Sequence, residues 1–190
     1  MPAHDRKLTM DELDRPSPDS NLKDQKAPVR LVLDDVRSRH NVGSIFRTAD
    51  AFGAEGIILC GFTPQPPHRE IEKTALGATL SVPWHSAPDA LSAVNELKGL
   101  GYMVVAVEQT QAAVPLQELN IPMDRPMALV LGNELHGVSE AVVAAADACV
   151  IIPQHGSKHS LNVSVCAGVV LWWCSALPSA NGRQPFPRIT

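Results

Sequence analysis

The chain has 190 residues, a formal net charge of −4 and 45% hydrophobic residues, of which few are aromatic. That is enough apolar side chain for one α/β-sized core of Ala, Val, Leu and Ile, with little chain left for a second. No apolar run reaches the roughly 18 to 20 residues of a membrane span, and the polar stretch Met1 to Leu8 has no signal-peptide core. The expectation is a soluble, cytoplasmic protein with no membrane partner.

Residues 1–28, rich in Asp, Pro, Ser and Lys, read as a tail in which Arg6 to Leu13 could form a short docking helix. The folded domain is expected over 29–177. Val29 to Val36 is a β-rich apolar run and the first strand. Gly43 to Phe52 reads as a helix, because Ile45, Ala49 and Phe52 repeat at helical spacing and Gly53 is placed to end it. Gly56 to Phe62 is a buried strand, followed by a loop through Pro64, Pro66 and Pro67. Thr79 to Val82 reads as a short strand, Asp89 to Leu97 as a helix and Tyr102 to Val107 as another strand. Pro126 to Leu131 leads into a strand ending at Gly132, and Ser139 to Ala146 is an Ala-rich helix. Cys149 to Ile152 is the last strand, stopped by Pro153, and Leu161 to Leu177 is the closing helix. Residues 178–190, with three prolines and a glycine, read as a second tail.

Near-continuous apolar strands separated by helices predict an α/β fold: a mostly parallel sheet with helices on both faces. Such sheets bind ligands beyond the carboxyl ends of their strands, so the segments after each strand carry the chemistry. Basic side chains gather there despite the acidic balance: Arg37, Arg39, His40 and Arg47; His68, Arg69 and Lys73; His155, Lys158 and His159. Cys60, Cys149, Cys166 and Cys174 form no C-x-x-C pair and read as reduced core thiols.

Common sites are missing from the sequence. There is no G-x-G-x-x-G after the first strand, no Walker A sequence and no H-E-x-x-H. His155 and His159 are four apart but lack a third ligand nearby, so no metal is expected. Gly137 to Ala141 faintly resembles a nucleophile elbow around Ser139, with Asp147 and His155 following in hydrolase order. The turn lacks its final glycine, and a helix N-cap explains Ser139 more simply.

Three post-strand segments fit together better. They are Asn41-Val42-Gly43-Ser44-Ile45-Phe46-Arg47, Leu131-Gly132-Asn133-Glu134-Leu135-His136-Gly137-Val138-Ser139, and Ile151-Ile152-Pro153 followed by Ser160-Leu161-Asn162-Val163-Ser164-Val165. In order, spacing and placement they resemble the three motifs of the TrmH-like branch of the SPOUT RNA 2'-O-ribose methyltransferases. Lys73 to Ala78 resembles that family's connecting segment, and the likeness covers about residues 29 to 175.

The resemblance implies S-adenosylmethionine as cofactor, tRNA or rRNA as substrate, a homodimer and a C-terminal trefoil knot. It implies an adenosine pocket around Val107, Gly132, Ile152 and Leu161, with Gly132 letting the backbone approach the cofactor. It makes Arg47 the residue that engages the RNA phosphate and helps activate the 2'-hydroxyl, although a guanidinium ordinarily keeps its proton. Asn41 is placed to cap the first helix and, by resemblance, to orient Arg47 or the ribose. Glu134 is expected to accept hydrogen bonds from backbone groups of the pocket loops, and Ser160 and Asn162 to line the reaction centre. Val163, Val169, Val170, Trp172 and Trp173 give the closing helix more apolar surface than one monomer face needs, which fits a dimer contact. With under thirty residues before the first strand, substrate choice is expected to rest on the catalytic domain, its tails and its partner subunit. The rival from another class is a catalytically silent RNA-binding or assembly factor on the same fold.

Overall fold

The computed structural model describes residues 6, 7, 9, 27–120, 125–157 and 160–176. Of the expected tail 1–28, Ala27 and Pro28 already belong to the first strand, and apart from Arg6, Lys7 and Thr9 the rest of it, with the expected docking helix, lies outside the described residues, as do the second tail, Lys158, His159 and Leu177.

Among the described residues, seven strands form one parallel sheet. They are β1 (Ala27–Asp34), β2 (Ala54–Cys60), β3 (Trp84–Ala87), β4 (Met103–Val107), β5 (Val114–Pro115), β6 (Met127–Leu131) and β7 (Ala148–Ile151), in the spatial order β3-β2-β1-β6-β4-β7-β5. The helices are α1 (Arg39–Ala51), α2 (Arg69–Ala75), α3 (Ala78–Ser81), α4 (Ala90–Gly99), α5 (Glu140–Ala145) and α6 (Val163–Ala176).

The two-residue period of a strand sends alternate side chains to opposite faces, so apolar runs build two cores at once. Leu31, Leu33, Ile57, Leu59, Val105, Leu129 and Leu131 pack under α1, α2 and α6, together with Ile45, Phe46 and Ile71. Val32, Ile58, Val104, Ala106, Ala128 and Val130 pack under α4 and α5, with Val94, Leu97 and Val142. Burial on both faces is what parallel strands without polar alternation require.

Several expected boundaries shift. α1 begins at Arg39, four residues before Gly43, because Ser38 is its N-cap and accepts the Asn41 N–H on Oγ at 3.3 Å. Asn41 is therefore not the cap, and its own side chain is left for other work. The expected strand at Thr79–Val82 is the helical turn α3: Thr79 Oγ1 donates to Glu72, and Ser81 Oγ to Asp50. The strand comes afterwards as β3, an edge strand with no fully buried residue and hence no apolar run to betray it. Helix α2 was not legible because it has seven residues and buries only Ile71 and Ala75. The closing helix begins at Val163, which leaves Leu161 outside it. Among the described residues no helix is long and apolar enough to cross a membrane, and all four cysteines are free.

Candidate active site

The carboxyl ends of β1, β6, β4 and β7 bring the three singled-out segments together. After β6 the chain makes a tight loop: Asn133 and Gly137 exchange backbone hydrogen bonds, both at 2.9 Å. Asn133 holds the loop from within. Its Oδ1 accepts the N–H groups of Leu135 and His136, and its Nδ2 donates to the Asp35 carbonyl at 2.7 Å. A Cβ on Gly132 would fall on the Gly137–Val138 peptide. The loop's own return thus demands glycine there, a nearer reason than the close cofactor approach expected from the sequence.

Glu134 stands on this loop and reaches the start of α1. Its carboxylate accepts the Arg37 and Ser38 N–H groups, each at 3.1 Å, and the Asn41 side-chain amide at 3.0 Å. Partial burial works against its charge, but these donors outweigh burial and hold its carboxyl below the usual carboxylate range. The other end of the Asn41 amide accepts a hydrogen bond from Asn162 Nδ2 at 3.2 Å. Asn162 Oδ1 in turn accepts the N–H and hydroxyl of Ser164, which makes Asn162 the side chain that caps α6. A continuous chain, Glu134 to Asn41 to Asn162, ties one segment after each of three strands.

Beside it is a cleft of about 520 Å³. Val107, Gly132, Ile152 and Leu161 line it, as do Glu134, Ser160 and Asn162. Asn41 and Arg47 do not. Arg47 is exposed on α1 among the buried residues Val42, Ile45, Phe46 and Ala49, and its side chain has no hydrogen bond or ion pair among the described residues. Ser160 is exposed on the cleft wall and does not cap the helix.

Glu108, which sequence reasoning passed over, also lines the cleft. Its Oε2 accepts the Val138 N–H at 2.7 Å and its Oε1 the Gln109 N–H at 2.8 Å, pinning the loop after β6 to the end of β4. Burial and then the Glu108 charge push the neighbouring Cys166 thiol up to about 11. The available signal was an acid directly after an apolar strand, where parallel sheets place ligands. Buried Asp34 acts similarly at the end of β1, accepting the Ser139 N–H at 2.9 Å.

The hydrolase order fails on geometry. Asp147 precedes β7 and is held there by the Val104 N–H and Lys98 Nζ, whereas His155 lies past the other end of that strand. Four strand residues separate the two by about 13 Å. Among the described residues no three His, Cys, Asp or Glu side chains gather as metal ligands would.

This architecture has close counterparts. The family profile described as the SpoU rRNA Methylase family matches residues 28–172. The chain is 37% identical over 142 residues to the 23S rRNA (guanosine-2'-O-)-methyltransferase RlmB of Nitrosomonas europaea, covering 75% of this chain and 54% of that protein. The AdoMet-bound rRNA methyltransferase of Sinorhizobium meliloti superimposes with a TM-score of 0.72 at 31% identity, covering 79% of this chain and 58% of that one. The A. aeolicus TrmH/SpoU tRNA modifying enzyme gives 0.70 at 30% identity, covering 78% and 74%. This chain thus spans little more than half the length of the RlmB relative. With three strand-end segments joined around one cleft, and a profile match running from the first strand into the last helix, the chain belongs to the SpoU rRNA methylase family, the TrmH-like RNA methyltransferases.

Proposed function

We propose that this protein is an S-adenosylmethionine-dependent methyltransferase acting on a ribose 2'-hydroxyl of tRNA or rRNA. The observation that carries the reading is the Glu134–Asn41–Asn162 hydrogen-bond chain on the rim of a cleft lined by Val107, Gly132, Ile152 and Leu161. A cleft of about 520 Å³ falls within the usual range for small-molecule sites. The half-buried Ile152 and Val107 and the more exposed Leu161 offer apolar faces for an adenine ring, while the backbone of the loops offers polar groups to its edge. When bound, the cofactor supplies an electrophilic methyl group.

The remaining work falls to the chain's own residues, and most of it is positioning. Asn41 and Asn162 hold the rim in one arrangement, and Glu134 keeps the start of α1 against the loop after β6. Arg47 grips the phosphate beside the reacting ribose, and its fixed positive charge favours the negative charge that builds on the 2'-oxygen as the hydroxyl passes its proton to solvent water. Ser160, with a free position on the cleft wall, orients the hydroxyl. The relatives named for RNA 2'-O-methylation and AdoMet binding support this assignment.

The same proposal includes a cytoplasmic homodimer whose catalytic unit is residues 29–177, with the trefoil threading of the family. Val165 and Trp172 support the dimer: both are more than half exposed on α6, next to α1 and its exposed Arg47.

The test is transfer of labelled methyl from S-adenosylmethionine to RNA from a strain lacking this gene, with Arg47→Ala run alongside and nucleoside mass spectrometry to follow. A 2'-O-methylated nucleoside made only by the unmutated protein is the expected result. RNA and cofactor binding without transfer to any cellular RNA would move the assignment to a silent RNA-binding factor.

A further inference from the structure

Phe62 is 79% exposed, which is unusual for a phenylalanine in a chain whose other large apolar side chains mostly fill two cores. It does not hang from a slack loop. The Phe62 N–H donates to Asp35 Oδ1 at 2.7 Å, and the next side chain, buried Thr63, donates from Oγ1 to the Leu33 carbonyl at 3.1 Å. Gly61 has φ +58°, and a Cβ there would collide with the Asp35 carboxylate. The turn is therefore fixed from both sides and holds an aromatic ring out into solvent.

Carboxylates lie beneath the turn, Asp35 holding it and Asp34 and Asp89 acting on nearby Cys60, and the free positive charge lies on the segments beside it. Phe62 leads through a proline-rich connection into α2, where both acids are engaged: Glu70 with Arg39, and Glu72 with the Thr79 hydroxyl. Arg69 and Lys73 lie one turn apart on the exposed side of α2 with no partner among the described residues. Arg37, exposed in the loop between β1 and α1, gives its N–H to Glu134 but leaves its guanidinium without a partner among the described residues.

The turn is also continuous with the cleft. Asp35 holds Phe62 through its side chain and Asn133 Nδ2 through its carbonyl, and Asn133 carries the loop that bears Glu134. In the sheet, β2 is separated from β6 only by β1, so the Phe62 turn and the Glu134 loop lie roughly 10 Å apart. A few nucleotides of extended strand cover that span.

We infer that Phe62, with Arg37, Arg69 and Lys73, forms a docking platform for a single-stranded segment of RNA, the ring stacking on an unpaired base and the three cations tracking the phosphates. An aromatic face flanked by unpaired cations is the arrangement that holds single strands without reading their sequence. The platform rests on the proposed RNA methyltransfer and names the form of RNA presented to it.

The test uses the full chain with S-adenosylmethionine and a fluorescent single-stranded RNA, with the duplex of the same sequence for comparison. Phe62→Ala should weaken single-strand binding about tenfold or more, and Phe62→Trp should retain it to within about twofold. Arg69→Ala with Lys73→Ala should reduce the slope of log affinity against log salt by about 1.4, the share of two phosphates on a single strand. In methyl transfer, Phe62→Ala should raise KM for RNA and leave kcat in place. Unchanged affinity and KM in Phe62→Ala, while the unmutated protein methylates RNA, overturns the platform and leaves the methyltransferase reading standing. A shift of Phe62→Ala from dimer to monomer at unchanged RNA affinity also overturns it and assigns the ring to contact with a second copy. Cofactor binding by the unmutated protein with no RNA bound or methylated removes the methyltransferase reading itself.

Discussion

Asn162 Nδ2 donates to Asn41 Oδ1 at 3.2 Å, joining residues 121 positions apart in the chain. The same Asn41 side chain donates to Glu134, so one amide uses both its ends to hold three loops. An amide is suited to this because it donates and accepts at once, and neither Asp nor Leu of the same shape can do both.

Replacing that amide should separate assembly of the rim from cofactor binding. Asn41→Ala removes a hydrogen bond to a charged carboxylate, worth about 1.5–3 kcal/mol, which corresponds to a roughly 10- to 100-fold loss of transfer rate. Cofactor affinity should change little, since Asn41 does not line the cleft. Isothermal titration with S-adenosylmethionine beside a single-turnover assay reads both quantities, and an equal loss in each would place Asn41 in the cofactor pocket instead.

Arg47 is held apart from the cleft, exposed and unpaired among the described residues. Arg47→Ala should lower transfer about 100-fold or more while leaving cofactor binding intact. Arg47→Lys should restore little, because a point charge does not reproduce the planar fork that grips a phosphate. Ser139→Ala is the control and should be mild, since Asp34 and the first turn of α5 engage the Ser139 backbone and its side chain makes no cap hydrogen bond. Loss of cofactor binding in Arg47→Ala would remove the residue from its assigned place.

The pH dependence follows from Glu134. Donors from Arg37, Asn41 and Ser38 hold its folded-state carboxyl below the ordinary range in spite of its partial burial. Its contribution to stability is therefore complete above the unfolded value, about 4.3, and is lost as pH falls through the lower folded value. Glu134→Gln should lower the melting temperature at neutral pH, and the gap to the unmutated protein should close on acidification below about pH 4. A gap that persists at low pH would show that shape, not charge, holds the loop.

Gly132→Ala places a methyl where the Gly137–Val138 peptide runs. The loop must then open, at a cost of about 1–3 kcal/mol by analogy with overpacking in a core. Thermal unfolding should shift down by several degrees, and cofactor affinity should fall with it because the loop forms one wall of the cleft. Unchanged affinity would mean that the loop reshapes without moving that wall.

Much of this protein was written locally. Continuous apolar runs identified most of the long strands and therefore the parallel sheet, because burial on both faces leaves no polar alternation. The strand-end motifs held Gly132, Ile152, Leu161, Glu134, Ser160 and Asn162, all of which line the cleft, and the family resemblance they carried added Val107 at the end of β4. What local pattern could not carry was everything decided by distant partners. Helix α3 is helical because its hydroxyls bond to Glu72 and Asp50, and β-branched Thr79 by itself suggested a strand. Ser38 rather than Asn41 caps α1, which frees Asn41 for residues 93 and 121 positions away. Nothing local names the partners of Glu108 and Asp34; the sheet order puts β4 and β1 on either side of β6, where their carboxylates meet the Val138 and Ser139 N–H groups. Periodicity reports which face of an element is buried, but a hydrogen bond between loops depends on strand order, and that is settled only when the whole sheet is assembled.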